Sequence, residues 1–464
     1  MSSSASIPKY TSTDGAVTLL RNLGAEFAVV ANPQYVYPPF DLYPFAPPRI
    51  VLERGLMGAV MDMDGTTTTT EPLCIHSLET MVRRITGRQE VADWAGLDHD
   101  KDFPHIIGNS TTRHVEYLVQ AYGEGICPAE LQRWHILSSA WTLGQGADEG
   151  RKKEVRANLS ALGVDRLMEL PEFGQLMNLK EVSCPAAVEL LNLLESAVGG
   201  GYQLDNTAAV VRASVDIYYQ RYHQILAEIH AGRGDDIAAE VFGQSGGHLI
   251  EPMPGIGVYL SLIKGWLGAD AAACAPELLG HLNKQGLASG LTMAATEDIL
   301  RRLGAHFSKN PARAAIVTSS IEYEARIVLS EVFRVLRQQI SEWPLPEEKR
   351  ASLSERFAEP TRLYDGFVTA SDSSEIRLKP HRDLYSLALH RIGLLPEQFA
   401  NVAGFEDSES GTIAIRAAGI ALCCALPFSM TRGHTFQAAT HTCNGGLPEV
   451  ILCHQCFLPE HALA

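Results

Sequence analysis

The stretch GLMGAVMDMDGTTTTTEPL constrains this chain more than any other: a short uncharged run, residues 55–61, delivers Asp62 and Asp64 one residue apart and then turns at Gly65. The run reads as a buried strand, on which residues i and i+2 point the same way. Two carboxylates that close are tolerated only with a cation, a proton or solvent beside them. A hard dication such as Mg²⁺ is the economical answer. Gly65 allows a tight turn, and the Thr66 hydroxyl is expected to bond locally within it. The plain alternative is a strand capped by a polar turn.

The rest of the chain supplies a sheet for that strand. After Pro254, the segments ARAAIVTSS, YDGFVTASDS, FANVAGFED and GIALCCALPF read as strands alternating with helical patterns, which implies a parallel sheet with crossover helices. Open sheets of that kind bind ligands at the carboxyl ends of their strands, where Asp62 and Asp64 would project. Residues 75–250 read differently: VEYLVQAY, AAVELLNLLESAV and AAVVRASVDIYYQRYHQILAEIHAG carry apolar residues at three- and four-residue spacings, so a mainly helical domain is expected there. Residues 1–49 are rich in prolines and aromatics towards their end and read as an extended strap over a surface. At 464 residues the chain is too long for one ordinary core.

A formal charge of -16 argues against a nucleic-acid backbone or an anionic membrane as the main partner, since both repel net negative charge. The first residues lack a signal-peptide pattern, and no run of about 18 uncharged apolar residues occurs, so a cytoplasmic protein is expected. Nine scattered cysteines read as reduced core thiols, Cys423 and Cys424 foremost.

Three further segments offer partners for the two aspartates. AAIVTSS ends a strand in the hydroxyls of Thr318, Ser319 and Ser320, suited to phosphate oxygens. RLKPHRDLY sets Lys379 before a proline that can open a helix, where the ammonium serves as a point charge. GFEDSESGTIAIRAAGI ends a strand in Glu406 and Asp407, a second acidic pair able to complete a metal site.

Together and in this order, these segments resemble the haloacid dehalogenase superfamily, in the branch of small-molecule phosphatases and β-phosphoglucomutase-like enzymes with a helical cap. DMDGTTTTTEPL is similar to that branch's first motif, VTSS to its second, KPHRDLY to its third and GFEDSESGTIAIRAAGI to its fourth. EPMPGIGVYLSLIKGW is similar to the family's return from the cap. The resemblance covers about 50–74 and 251–425 with gaps.

It implies an α/β, Rossmann-like parallel-sheet core with a large inserted α-helical cap. The core would comprise residues 50–74 and 251–464, with an insertion at about 267–312, and the cap residues 75–250. It also implies roles. Asp62 would be the nucleophile, giving an aspartyl-phosphate, and Asp64 the general acid and then base. Thr318 and Lys379 would stabilise the transferring phosphoryl group, and Asp62, Asp64, Glu406 and Asp407 would hold Mg²⁺. Cap residues Asn109, Ser110, Arg113 and His114 lie where family members touch substrate; a helix N-cap at Ser110 or Thr111 is the competing reading.

The chain departs from the pattern at Thr69, where an aspartate is usual, and at His381-Arg382, where a small residue and proline are usual. About 250 residues separate the first motif from the second, so the cap is enlarged.

Two other signals point elsewhere. GQSGG, residues 243–247, matches a serine-hydrolase elbow but leaves no room for the following helix, and so reads as a hinge. HTCNGGLPEVILCHQC supplies His441, Cys443, Cys453, His454 and Cys456, donors enough for zinc, though its apolar surroundings favour a buried strand.

The expectation is therefore a Mg²⁺-dependent phosphohydrolase acting on a small phosphorylated metabolite. A phosphomutase and a non-catalytic binding protein of the same fold are the alternatives.

Overall fold

Five of the apolar runs become the strands of one sheet. In the computed structural model, which describes residues 9–32, 36–88, 93–106, 111–180, 184–372, 375–428, 431, 433–454 and 456–459, β3 (Gly58–Asp62), β6 (Arg313–Val317), β7 (Gly366–Val368), β8 (Val402–Glu406) and β9 (Leu422–Ala425) are joined by the short β10 (His441–Thr442). The order is β10-β9-β8-β3-β6-β7, and every pairing is parallel. β3, β8 and β9 are buried at every position, as expected of strands covered on both faces, which therefore read as unbroken apolar runs. Val60, Val317, Val368, Val402 and Cys423 share a core with Leu384, Tyr385 and Leu389 of the helix Asp383–Arg391 and Ile415 of the helix Glu409–Ala417.

The connectivity fixes where a ligand can sit. From β3 the sheet grows through β6 and β7 on one side; the chain then crosses back to lay β8, β9 and β10 on the other. This reversal opens a crevice at the carboxyl ends of β3 and its neighbours.

The described residues of the segment 1–49 are not an extended strap. They form a helix, Thr13–Leu23, N-capped by Ser12, whose Oγ accepts from Gly15 N at 3.2 Å, and an antiparallel hairpin of β1 (Phe27–Ala31) and β2 (Phe40–Pro44). Ala28, Val30 and Tyr43 of the hairpin bury themselves against Ala417, and the almost fully buried Arg416 donates to the carbonyls of Ala46 and Ala438. Prolines around FDLYP concealed one strand, and in FAVVA every residue is apolar, so the two-residue alternation of burial leaves no mark in the sequence.

The chain divides into two compact units. One comprises Met1–Thr67, Pro252–Glu322 and Leu336–Ala464 and contains the sheet; residues 267–312 add to it a 3-10 segment (Gly268–Cys274) and two helices (Ala275–Lys284 and Met293–Phe307). The other comprises Thr68–Glu251 and Tyr323–Val335 and is helical. Its helices start where local chemistry satisfies free N–H groups: Asp148 caps Arg151 N at 2.6 Å, Asn206 caps Ala209 N at 2.9 Å, and prolines open the helices at 128, 171 and 185. At its centre Asp216, fully buried, accepts from Asn158 at 2.8 Å, meets His135 at 3.0 Å and pairs with Arg151. β4 (Thr68–Thr69) and β5 (Glu251–Pro252) pair where the chain enters and leaves this unit.

GQSGG follows a helix, Gly234–Phe242, rather than a strand, which rules out the nucleophile elbow. Among the described residues no helix is long and apolar enough to cross a membrane.

Candidate active site at the carboxyl end of the central strand

β3 delivers Asp62 at its last residue, opposite Val317 of β6, and the chain then bends so that Asp64 turns towards the end of β6. Gly65 has φ +80°, and a Cβ there would lie 2.4 Å from Asp407 Oδ2. Glycine is required twice over, by conformation and by space. Gly65→Ala is expected to cost about 1–2 kcal/mol of stability from the left-handed backbone alone and to displace Asp407; thermal unfolding and initial rates of the variant measure the two effects separately.

The threonines divide their work differently from expectation. Thr67, not Thr66, bonds locally, its Oγ1 donating to the Asp62 carbonyl at 2.7 Å. Thr66 instead reaches Asp407 Oδ1 at 3.5 Å. Thr318 N continues the ladder to Val368 O at 2.9 Å, which fixes its hydroxyl 3.4 Å from Asp64 Oδ2; Ser320 Oγ donates to the same oxygen at 3.2 Å. Ser319 is exposed.

Lys379 joins the two acidic pairs. Its ammonium is paired with Asp62 Oδ1 and lies 2.6 Å from Glu406 Oε1, with side-chain exposures of 9% for the lysine and 1% for the glutamate. Pro380 does not open the helix directly; the helix begins three residues later, at Asp383. Glu406 also accepts from Tyr385 Oη at 3.0 Å, from the N–H groups of Asp407 and Ser408 at 3.1 Å each, and from Ser408 Oγ at 2.8 Å. A carboxylate offers about four lone-pair positions, so Glu406 is saturated. Gly411 makes this possible, because a Cβ there would overlap the Glu406 carboxylate.

Asp62, Glu406 and Asp407 are all buried and offer oxygens within 4.8 Å of one another. Three carboxylates face one ammonium. Burial first, and Glu406 second, push Asp62 well above the ordinary carboxylate range, with Lys379 opposing them. Burial alone would lower the Lys379 ammonium, but Asp62 and then Glu406 hold it above its ordinary value. With all three carboxylates ionised and one ammonium among them, the pocket carries two negative charges in excess, and its oxygen donors fit a hard dication such as Mg²⁺ better than a softer metal.

The hairpin reaches the neighbouring loop. Tyr43 Oη lies 2.7 Å from His381 Nδ1, and the Tyr43 ring carries the guanidinium groups of Arg377 and Arg382 at 5.7 and 5.8 Å. Sequence reasoning missed Tyr43, whose partner His381 lies 338 residues away, and it missed Tyr385 and Ser408, whose hydroxyls bond Glu406 from 21 and 2 residues away but carry no motif signal of their own. Arg113 is exposed on the helix Thr111–Ala121 of the helical unit and His114 is buried there; Asn109 and Ser110 lie outside the described residues.

No family model and no curated protein matches the chain. Among solved structures it is similar to CbbY from Rhodobacter sphaeroides in complex with phosphate, at 14% identity over 83% of this chain and 92% of that one, with a TM-score of 0.33. It is also similar to a putative β-phosphoglucomutase from Thermotoga maritima, at 15% identity over 86% and 97%, with a TM-score of 0.29. Overlap this limited carries no inference about chemistry.

Proposed function

We propose that the chain is a phosphohydrolase that cleaves a small-molecule phosphomonoester through a phosphoryl group carried on Asp62. The reading rests on one observation: Asp62, at the end of the central strand, is paired with the Lys379 ammonium beside a second acidic pair, while Asp64 next to it is held by two neutral hydroxyls.

The difference in partners assigns the two carboxylates. A carboxylate bonded to a fixed cation suits in-line attack on phosphorus, since Lys379, joined by a bound dication, opposes the burial and the Glu406 charge that favour protonation of Asp62. Asp64, half-buried and bonded to the Thr318 and Ser320 hydroxyls, can pass between acid and base: it protonates the leaving oxygen and then takes a proton from the water that hydrolyses the intermediate. Lys379 offsets charge on the equatorial oxygens, and Tyr385 and Ser408 keep Glu406 in place to hold Lys379. Asp62 and Asp407 would hold Mg²⁺, with the Asp64 carbonyl in reach by the motif resemblance and the saturated Glu406 behind them. The ion supplies Lewis-acid charge compensation.

The test is release of phosphate from an aryl phosphate with and without Mg²⁺. Activity should be lost after EDTA treatment and restored by Mg²⁺, and Asp407→Ala should raise the Mg²⁺ concentration needed by at least about tenfold. Full activity in EDTA would overturn the reading. Free phosphate measured against isomerised sugar phosphate separates hydrolysis from mutase action, and isomer formed without phosphate release would reverse the choice.

A further inference from the structure

Sequence and structure part most sharply near residue 450, in a cluster of side chains that the phosphoryl chemistry leaves unused. VILC is not a strand: β10 ends at Thr442, Gly446–Glu449 forms a helical turn, and Val450–His454 forms a π-helix. In an α-helix residues five apart point about 140° away from each other. The i→i+5 winding of a π turn stacks them instead. Glu449 and His454 are such a pair, and His454 Nε2 lies 3.4 Å from Glu449 Oε1.

Cys443 faces them. Its N–H bonds Ala425 O at 2.9 Å, extending the pairing of β10 with β9 and fixing the thiol, which is fully buried. Cys443 Sγ, a Glu449 carboxylate oxygen and a His454 ring nitrogen all lie within 4.8 Å of one another. The His441 ring meets the His454 ring edge-on with centroids 4.8 Å apart, and its Nδ1 is engaged by Thr440 Oγ1 at 3.1 Å. A third cluster, Asp235, His248 and Glu331 in the helical unit, differs in kind: Arg334 already pairs with both of its carboxylates at 2.7 Å.

We propose that Cys443, Glu449 and His454 form a binding site for one transition-metal dication, Zn²⁺ by the chemistry of the donors. A thiolate, an imidazole and a carboxylate make a borderline-soft set that suits zinc and not Mg²⁺, which separates this site from the all-oxygen pocket at Asp62. Three protein donors leave a fourth tetrahedral position, for water or the adjacent His441 imidazole. On binding, the Cys443 thiol gives up its proton to solvent and the sulfur takes the metal, while the contact between Glu449 and His454 is replaced by coordination of both. The ion ties the edge strand of the sheet to the turn that follows it.

The experiment uses the full-length protein, freed of metal with a chelator and titrated with Co²⁺. One equivalent is expected to give sulfur-to-cobalt charge-transfer absorption, which Zn²⁺ bleaches and excess Mg²⁺ does not. Cys443→Ser should abolish the band, while Cys453→Ser should leave it. His454→Gln, at a side chain 28% exposed and so tolerant of change, should weaken Co²⁺ binding at least tenfold. Absence of the band in the wild type, its survival in Cys443→Ser, its loss in Cys453→Ser, or undiminished affinity in His454→Gln would each overturn the proposal. If Cys443→Ser does not fold, as judged by circular dichroism, His454→Gln decides alone. Because charge transfer reports thiolate and not carboxylate ligation, the result is independent of activity at Asp62.

Discussion

In Asp62→Asn, phosphate release is expected to fall by about four orders of magnitude or more, the scale of loss when a nucleophile is removed from a covalent route, while the unfolding midpoint does not fall. The second half follows from charge. Asp62, Glu406 and Asp407 are buried together with one ammonium among them, and the amide replacement removes one of the repelling anions while Lys379 keeps its 2.6 Å contact with Glu406. A site that stores such repulsion is less stable than a neutralised one, the usual trade between activity and stability. Initial rates and calorimetry on the same preparation measure both. A variant within tenfold of wild-type activity would remove Asp62 from the chemistry.

Lys379→Met is expected to cost more than activity. It leaves Asp62 and Glu406, 5% and 0% exposed, facing each other without their shared cation. Breaking one side of a buried ion pair costs about 3–5 kcal/mol, because the remaining charge is left without compensation. Urea unfolding should show that loss, together with loss of turnover. Combining it with Asp62→Asn should recover much of the stability, since the two changes share one interaction and cannot add. A loss below about 1 kcal/mol in the single variant would show that the ammonium does not hold the acids together.

The strands were legible because each is a short, mostly apolar run, buried at every position in β3, β8 and β9 and nearly so in β6 and β7. Asp62, Asp64, Thr318, Glu406 and Asp407 were legible because each ends or follows such a run, and Lys379 because it precedes a proline and a helix. What lay hidden has physical reasons. A run of four apolar residues such as VILC fits a strand and a helical turn equally well, and no local signal announces a π-helix. The exchange of roles between Thr66 and Thr67 depends on Asp407, 341 residues away from Thr66. The hairpin was masked by prolines on one strand and by uniform apolarity on the other. Tyr385 is a core residue by pattern, and only its hydroxyl, donating to Glu406, ties it to the site.

The central position of β3 also has a consequence for how the molecule is made. Gly58 pairs with Arg313 on one side and Val402 on the other, and Ala46 waits for Arg416, 370 residues downstream. At synthesis rates of about 5–20 residues per second, the strand that carries Asp62 leaves the ribosome about 20–75 seconds before its surroundings are complete. One edge stands open until β6 emerges and the other until β8 does. The helical unit, whose contacts are made largely within one continuous stretch, can settle meanwhile. The order of translation therefore runs opposite to the order of importance: the first strand of the sheet to be made is among the last to be enclosed.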